Sequence, residues 1–136
     1  MPRDSKSLVL DAWSVLAYLQ DEPAGVRVAD ALADALDSNA GAYLCVANAG
    51  EVWYILSREN SETAADKAIQ ILLGLGILFV DIDWALTRVA ARFKARGGLS
   101  YADAYAAALA KTLDCALMTG DREFETVARD VSIRWV

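Results

Sequence analysis

The segment Leu8–Gln20, with the sequence LVLDAWSVLAYLQ, joins an apolar run to a stretch with helical spacing through one carboxylate. The three residues at its start are typical of a short buried strand, and Asp11 ends that strand. From Trp13 onwards the apolar residues recur at the spacing that one face of an α-helix requires. Because a strand followed directly by a helix is the repeating unit of α/β domains, this segment indicates that fold class.

The same alternation of strand and helix continues to the end of the chain. Further strands are predicted at Tyr43–Val46, Ile77–Val80, Ala116–Met118 and Ser132–Val136. Helices are predicted at Trp13–Gln20, Pro23–Leu36, Asn48–Arg58, Ser61–Gly74, Asp83–Arg96, Ser100–Leu113 and Glu123–Ala128. The pattern therefore predicts an α/β domain with a mostly parallel sheet of about five strands. Since no linker or repeat interrupts it, residues 1–136 are expected to form a single domain.

The composition of the chain excludes several classes of active site. The 136 residues are 56% hydrophobic, above the ~45–50% of an average globular protein, so a sizeable core is available. The net charge of -6 argues against a protein that coats nucleic acid through a broad basic surface. Histidine is absent, which excludes serine or cysteine nucleophiles activated by histidine, histidine-based RNA cleavage and histidine-ligated zinc. Any catalysis must depend on carboxylates, hydroxyls, lysines or a metal with oxygen ligands.

The cysteines and the apolar runs indicate a cytoplasmic protein without a membrane segment. Cys45 and Cys115 have no metal-binding spacing, and two buried, reduced thiols are expected in preference to a disulfide. The apolar run Leu8–Leu10 is too short for a signal peptide. The longest apolar run, Ile71–Val80, has about half of the ~20 residues that a membrane-spanning helix needs.

Four acidic residues are predicted to meet at one edge of the sheet. Asp11 follows the first strand directly, and Asp121 comes three residues after the fourth strand. Glu51 lies about one turn into the helix after the second strand, and Asp103 lies in the first turn of the helix that precedes the fourth. In open α/β sheets, ligands gather at the carboxyl ends of the strands, where these positions fall.

Each of these acids also has an alternative structural role. Asp11 and Asp121 are suited to cap the helices that follow them, and Ser100–Asp103 matches a capping box. Glu51 can be an ordinary exposed helix residue. Two unit charges ~4 Å apart repel by about 4 kcal/mol at an effective dielectric constant of ~20, so a cluster of four carboxylates is unfavourable without a cation. Oxygen ligands select hard divalent ions, and the cluster therefore predicts a Mg²⁺ or Mn²⁺ site that activates water.

Four short motifs carry a resemblance to a known family. They are LVLD at Leu8–Asp11, VANAGEV at Val46–Val52, SYADA at Ser100–Ala104 and MTGDREF at Met118–Phe124. With these motifs in this order, the chain resembles the PIN-domain nucleases, and among them the VapC-type toxins of toxin–antitoxin pairs. The agreement in order and spacing extends from Leu8 to the last strand.

The resemblance implies a three-layer α/β/α PIN-like fold and a metal-dependent endoribonuclease activity, often directed at a structured RNA such as tRNA. By position, the catalytic residues and metal ligands would be the four acids Asp11, Glu51, Asp103 and Asp121. The resemblance also implies a cognate antitoxin that occupies a groove near the site, and a homodimer.

The resemblance also assigns supporting roles and shows one departure. Thr119 would help to orient the site, and Asn48 would brace the helix that follows the second strand. Trp13 occupies a position where the family often has a small hydroxyl residue, and Ser14 comes one place later. This departure puts the hydrogen bonding near Asp11 in question.

Two further sets of side chains carry less specific predictions. Arg88, Arg92 and Arg96 share one helix face, which would either guide an RNA backbone or form a solvated surface. The tryptophans are expected in the core, at Trp13, Trp53, Trp84 and Trp135.

The leading hypothesis is a metal-dependent endoribonuclease that acts as a toxin and leaves 5′-phosphate and 3′-hydroxyl ends. The alternatives are a non-catalytic PIN-like module that binds RNA or protein, and an RNA-processing or DNA nuclease of the same fold. A phosphotransferase with Asp11 as nucleophile is disfavoured, because Ala12 and Trp13 follow it in place of another acid.

Overall fold

The computed structural model describes residues 7–136, so residues 1–6 of the expected single domain lie outside the described residues. Its centre is a sheet of five strands, β1–β5 in chain order, at Leu8–Leu10, Ala42–Cys45, Leu78–Val80, Ala116–Thr119 and Ile133–Trp135. The strands lie in the order β3-β2-β1-β4-β5, and every pairing is parallel. The predicted α/β class and five-stranded sheet are confirmed, and the sheet is parallel throughout.

Six α-helices and one 3₁₀ helix connect these strands in the described part of the chain. Helices α1–α6 span Ala12–Leu19, Pro23–Asp37, Val46–Glu59, Glu62–Gly74, Trp84–Arg96 and Tyr101–Leu113. Four of them begin after a side chain that accepts a hydrogen bond from a backbone N–H of the first turn, namely Asp11, Ser61, Asp83 and Ser100. The short helix predicted at Glu123–Ala128 is a 3₁₀ helix at Arg122–Val127, which Asp121 caps.

The helices cover both faces of the sheet and give the expected three layers. Alternate strand residues point to opposite faces, so Leu8 and Leu10 pack against α1–α4 while Val9 packs against α5 and α6. Helix α6 is buried without interruption from Asp103 to Ala110. Because five of these eight residues are alanines, the helix backbone can lie close to the sheet.

The strand order reverses between β1 and β4. From β1 the chain proceeds through β2 to β3, and it then returns through α5 and α6 to β4 on the other side of β1. The segments after β1 and β4 pack on opposite faces of the sheet, which leaves a crevice at the carboxyl ends of these two strands. Asp11 follows β1 and Thr119 ends β4, so the crevice forms where the sequence predicts the acids.

Trp84 corrects the expectation that all four tryptophans lie in the core. Its side chain is 72% exposed at the start of α5, whereas Trp13, Trp53 and Trp135 are half-buried. All residues from 81 to 85 are exposed, and the first buried side chain of this helix is that of Leu86.

The cysteines lie where the sequence predicts them. Cys45 and Cys115 are buried thiols and do not form a disulfide. Within residues 7–136, none of the helices combines the length and the apolar character that crossing a membrane requires.

Candidate functional site

Asp11 is a buried carboxylate between the end of β1 and the start of α1. Its Oδ1 accepts a hydrogen bond from the backbone N–H of Ser14 at 2.9 Å, and Ser14 Oγ accepts the backbone N–H of Asp11 at 3.2 Å. The pair therefore forms a capping box, and Asp11 is only 1% exposed. The alternative role of Asp11 as a helix cap is real, but it uses only one of the two carboxylate oxygens.

Thr119 connects the other oxygen of Asp11 to the segment after β4. Its Oγ1 donates a hydrogen bond to Asp11 Oδ2 at 2.6 Å and accepts one from the backbone N–H of Asp121 at 3.0 Å. The side chain is fully buried, so water does not compete for these bonds. One hydroxyl thus links the carboxyl ends of β1 and β4, and its role in orienting the site stays a prediction.

Three of the four predicted acids line one cleft at the carboxyl edge of the sheet. The cleft has a volume of about 190 Å³, and its acidic lining residues are Glu51, Asp103 and Asp121. Four apolar side chains complete the lining: Ala12, Trp13, Leu16 and Ile55. Asp11 is not among the lining residues, because it is buried beside Thr119.

The electrostatics of the acids show that all four are close together. Burial, followed by the charges of Asp11 and Asp121, raises the pKa of Asp103 to about 7, and Glu51 adds to this rise. Burial raises the pKa of Asp11 to about 6 in spite of the hydrogen bonds that it accepts. Burial and the charge of Asp121 also raise the pKa of Glu51. Among the described residues, no arginine or lysine contributes to these pKa values, so the carboxylates lack a protein cation.

Glu123 is a further acid of the site that the sequence analysis did not select. Asp103, Asp121 and Glu123 can each place a carboxylate oxygen within 4.8 Å of the other two. A six-coordinate Mg²⁺ at ~2.1 Å from its ligands has opposite ligand atoms about 4.2 Å apart, so this oxygen set fits such an ion. The sequence signal that could have identified Glu123 is its position two residues after Asp121. In the structure, the backbone N–H of Glu123 donates a hydrogen bond to Asp121 Oδ1 at 3.0 Å.

Asn48 joins the two helices that carry Glu51 and Asp103. Its Nδ2 donates a hydrogen bond to the carbonyl oxygen of Ala102 at 3.0 Å, which ties α3 to the first turn of α6. The side chain is fully buried, and its Oδ1 has no hydrogen-bond partner among the described residues. The bond joins α3 to α6, and the role of Asn48 in bracing α3 stays a prediction.

A comparison with protein families assigns the chain. Residues 8–130 match the PIN domain family, which covers all strands except β5 and every helix described above. The chain belongs to the PIN domain family. None of the curated protein sequences matches it.

Solved structures share the fold of this PIN domain. VapC20 of Mycobacterium tuberculosis, a toxin that cleaves the sarcin-ricin loop, has a TM-score of 0.70 at 20% identity, with 93% of this chain and 98% of that chain covered. A chain of VapBC2 from Rickettsia felis, solved with a promoter DNA fragment, has a TM-score of 0.74 at 14% identity, with 96% and 98% covered. A chain of the toxin–antitoxin pair VapBC-5 from Mycobacterium tuberculosis has a TM-score of 0.61 at 15% identity, with 96% and 98% covered. At these identities the likeness concerns the fold.

The Trp13 departure leaves both carboxylate oxygens of Asp11 hydrogen-bonded in this PIN domain. Ser14 and Thr119 supply the donors to Asp11, so a hydroxyl at position 13 is not needed. The indole ring of Trp13 lies against Gly120, where a Cβ atom would overlap the ring. Trp13 therefore forms part of the cleft wall.

The arginines of α5 lie outside the cleft of this PIN domain. Arg88, Arg92 and Arg96 are all exposed on α5, and none of them lines the cleft. Arg96 donates to Asp130 with an Nη1–Oδ2 distance of 2.7 Å, which engages its guanidinium in an ion pair. A role for this helix face in RNA binding stays a prediction.

Proposed function

We propose that this PIN domain is a metal-dependent endoribonuclease whose catalytic metal ligands come from Asp11, Glu51, Asp103 and Asp121. The observation that carries the proposal is the convergence of four carboxylates at the β1–β4 crevice, where no cation from residues 7–136 neutralises them. Helix capping accounts for one oxygen of Asp11 but not for the raised pKa values of Asp103 and Glu51. Like charges that destabilise one another are typical of a functional site.

The donor set supports Mg²⁺ or Mn²⁺, because all the available ligand atoms are carboxylate oxygens. When bound, such an ion polarises phosphate oxygens and lowers the pKa of a coordinated water. Asp103, Asp121 and Glu51 face the cleft and would hold the ion, with Glu123 as an additional acid at its rim. Asp11 would complete the ligand set from beneath the cleft, where Thr119 fixes the position of its carboxylate.

The carboxylates of the cleft also suit the positioning of a water molecule. Glu51 or Asp103 would orient the attacking water from the cleft lining. Since water is the nucleophile in this proposal, the products are expected to carry 5′-phosphate and 3′-hydroxyl ends. A 2′,3′-cyclic phosphate would contradict this mechanism.

Similarity to the solved structures supports a role as a toxin with an antitoxin partner. VapC20 is named as a toxin that cleaves the sarcin-ricin loop, and VapBC-5 belongs to a toxin–antitoxin system. By analogy, we propose a structured RNA as substrate, a cognate antitoxin and a homodimer for this chain. A cytoplasmic location is expected for such a system.

The decisive experiment is incubation with total RNA and Mg²⁺ or Mn²⁺, followed by mapping of the fragment ends. Asp121→Asn should lose cleavage, because it removes a charge from the cluster. The matched control is Asp30→Asn, which changes an exposed carboxylate on α2 and should retain full activity. Equal activity of the two variants would contradict the proposal, and a parallel incubation with DNA separates the DNA nuclease alternative.

A second measurement addresses the metal without relying on activity. Titration of Mn²⁺ followed by calorimetry should detect binding to the wild type and to Asp30→Asn, and weaker binding to Asp121→Asn. An absence of divalent binding to the wild type would refute metal dependence and favour a non-catalytic binding module.

A further inference from the structure

The lining of the cleft is chemically mixed. Glu51, Asp103 and Asp121 line it together with apolar side chains from α1 and α3, of which Trp13 is the largest. Carboxylates repel phosphate unless a cation intervenes, but an uncharged aromatic base carries no such penalty. The same cleft therefore offers acids for a metal-bound phosphate and an aromatic side chain for a flat, neutral ring.

Trp13 is held in a fixed position in the cleft lining. Its ring rests on Gly120, the residue between Thr119 and Asp121, and no other residue type leaves room for it there. The helix that carries Trp13 begins at Asp11, which the Ser14 capping box anchors. The indole is thus placed by the two segments that also place Asp11 and Asp121. It lines the cleft and remains partly exposed.

The other tryptophans, all within the described residues, are occupied elsewhere. Trp53 donates its indole N–H to Asp66 Oδ1 at 2.9 Å, and the Arg122 guanidinium covers the Trp135 ring at 4.4 Å. Trp84 is exposed at the start of α5 and does not line the cleft. Trp13 is therefore the tryptophan that lines the cleft with the acids.

We propose that Trp13 stacks on an unpaired base next to the scissile phosphate and thereby determines how tightly that nucleotide is bound. This inference rests on the proposed ribonuclease function and names a substrate-binding residue of the same site. Aromatic side chains bind splayed-out bases of loops and single strands, whereas both faces of a base inside a duplex are already covered by its neighbours. The apolar neighbours Leu16 and Ile55 would surround the base edge.

The test uses a short RNA that carries the mapped cleavage site, together with Trp13→Leu and Trp13→Phe. Loss of one base–aromatic contact corresponds to about a 5-fold to 150-fold weaker interaction. Trp13→Leu keeps the apolar bulk without an aromatic face, so we expect KM to rise within that range while kcat changes little. Trp13→Phe keeps an aromatic face and should remain near the wild type.

Abasic substrates provide the second arm of the experiment. The nucleotide on each side of the scissile bond is replaced in turn by an abasic site. At one of the two positions, the KM of the wild type should rise as much as the KM of Trp13→Leu rises on intact RNA. With that abasic RNA, wild type and Trp13→Leu should become equal, because the contact is already lost. The comparison of intact with abasic RNA on the wild type alone needs no variant, so a folding defect cannot affect it.

The possible outcomes are distinguishable. The stacking inference is wrong if Trp13→Leu cleaves intact RNA as well as the wild type does. It is also wrong if the substitution reduces the cleavage of intact RNA and of abasic RNA by the same factor, because Trp13 then only supports the cleft. If the wild type cleaves no RNA at all, the proposed function fails and the inference fails with it. Preferential cleavage of fully paired RNA by the wild type would also overturn the inference.

Discussion

At the residue scale, a single hydroxyl, that of Thr119, links two strand ends. It donates to Asp11 Oδ2 and accepts from the N–H of Asp121, and the threonine side chain itself is fully buried. Hydrogen bonds to charged groups in such positions contribute about 1.5–3 kcal/mol. The spacing of the two acids therefore depends on a side chain that holds no formal charge.

Thr119→Val keeps the shape of this side chain and removes the hydroxyl. We expect the free energy of unfolding to fall by about 1.5–3 kcal/mol and cleavage to fall about 10-fold to 100-fold, since groups that orient metal ligands contribute at this level. Thr119→Ser keeps the hydroxyl and should restore most of the activity. Urea unfolding and initial cleavage rates measure both effects, and identical behaviour of the two variants would contradict the assignment.

Asp103 and Asp11 should respond differently to the same substitution. In metal-free buffer at pH 8, Asp103→Asn should unfold at a higher temperature than the wild type, because burial and neighbouring charges disfavour the ionised carboxylate. Asp11→Asn should gain less, because an amide cannot accept the hydrogen bonds of both Ser14 and Thr119. Thermal unfolding by circular dichroism decides this, and the reverse order of melting temperatures would count against the described hydrogen bonds.

At the scale of elements, two helical glycines provide a matched test of packing. Gly50 lies inside α3 with open space where a Cβ would be, whereas a Cβ at Gly25 of α2 would meet the carbonyl oxygen of Ala17 in α1 at 2.5 Å. Gly50→Ala should stabilise the protein by about 0.5–1 kcal/mol through helix propensity. Gly25→Ala should destabilise it, because α1 and α2 must move apart. Chemical unfolding of both variants tests this, and a stabilised Gly25→Ala would exclude the close contact.

Most of the elements could be predicted because their signals are local in sequence. The strand at Leu8–Leu10 is predicted correctly to the residue. The helices predicted to begin at Ser61, Asp83 and Ser100 begin directly after these residues, which cap them. The convergence of the four acids followed from the rule that ligands gather at the carboxyl ends of parallel strands. The rule requires only the order of strands and helices, which periodicity supplies.

The features that were missed depend on contacts between distant segments. Glu123 joins Asp103 only after the 3₁₀ helix turns back over the first turn of α6, and no local pattern encodes that turn. The packing of Trp13 against Gly120 is a contact between α1 and the segment after β4. Trp84 was assigned to the core by its residue type, but its side chain is exposed at the start of α5. Composition predicts which residues are apolar, but not which of them the fold leaves exposed.

At the scale of the whole molecule, the acids make stability depend on pH. The folded protein retains the Asp103 proton up to a pKa of about 7, whereas the unfolded chain releases it near the ordinary value of 3.8. Between these values the folded state binds more protons, so this contribution is complete at low pH and is lost as the pH rises through about 7. Asp11, with a pKa of about 6, acts in the same direction.

In metal-free buffer, the difference in melting temperature between Asp103→Asn and the wild type should therefore be small near pH 4 and should grow up to about pH 8. Using the difference between the two proteins removes the contribution of groups that they share. Thermal unfolding across this pH range provides the measurement. A difference that shrinks as the pH rises would show that Asp103 is not destabilised by its surroundings.

Divalent cations should reverse this loss of stability. A ligand that binds only the folded state at 100 times its Kd stabilises it by about 2.7 kcal/mol, so Mn²⁺ should raise the melting temperature of the wild type at pH 8. Asp121→Asn should show a smaller rise at the same Mn²⁺ concentration. An equal rise in both proteins would locate the binding away from the cleft.

Helix α6 carries Asp103 at its start and is enclosed from that residue to Ala110. Its close contact with the sheet depends on the alanines of this stretch, so a larger side chain at Ala106 or Ala107 would tilt the helix axis. The tilt would carry the Asp103 carboxylate away from its partners although the acid itself is intact. Random mutagenesis scored for loss of activity should therefore recover lesions along this alanine stretch, far from any group that contacts a substrate.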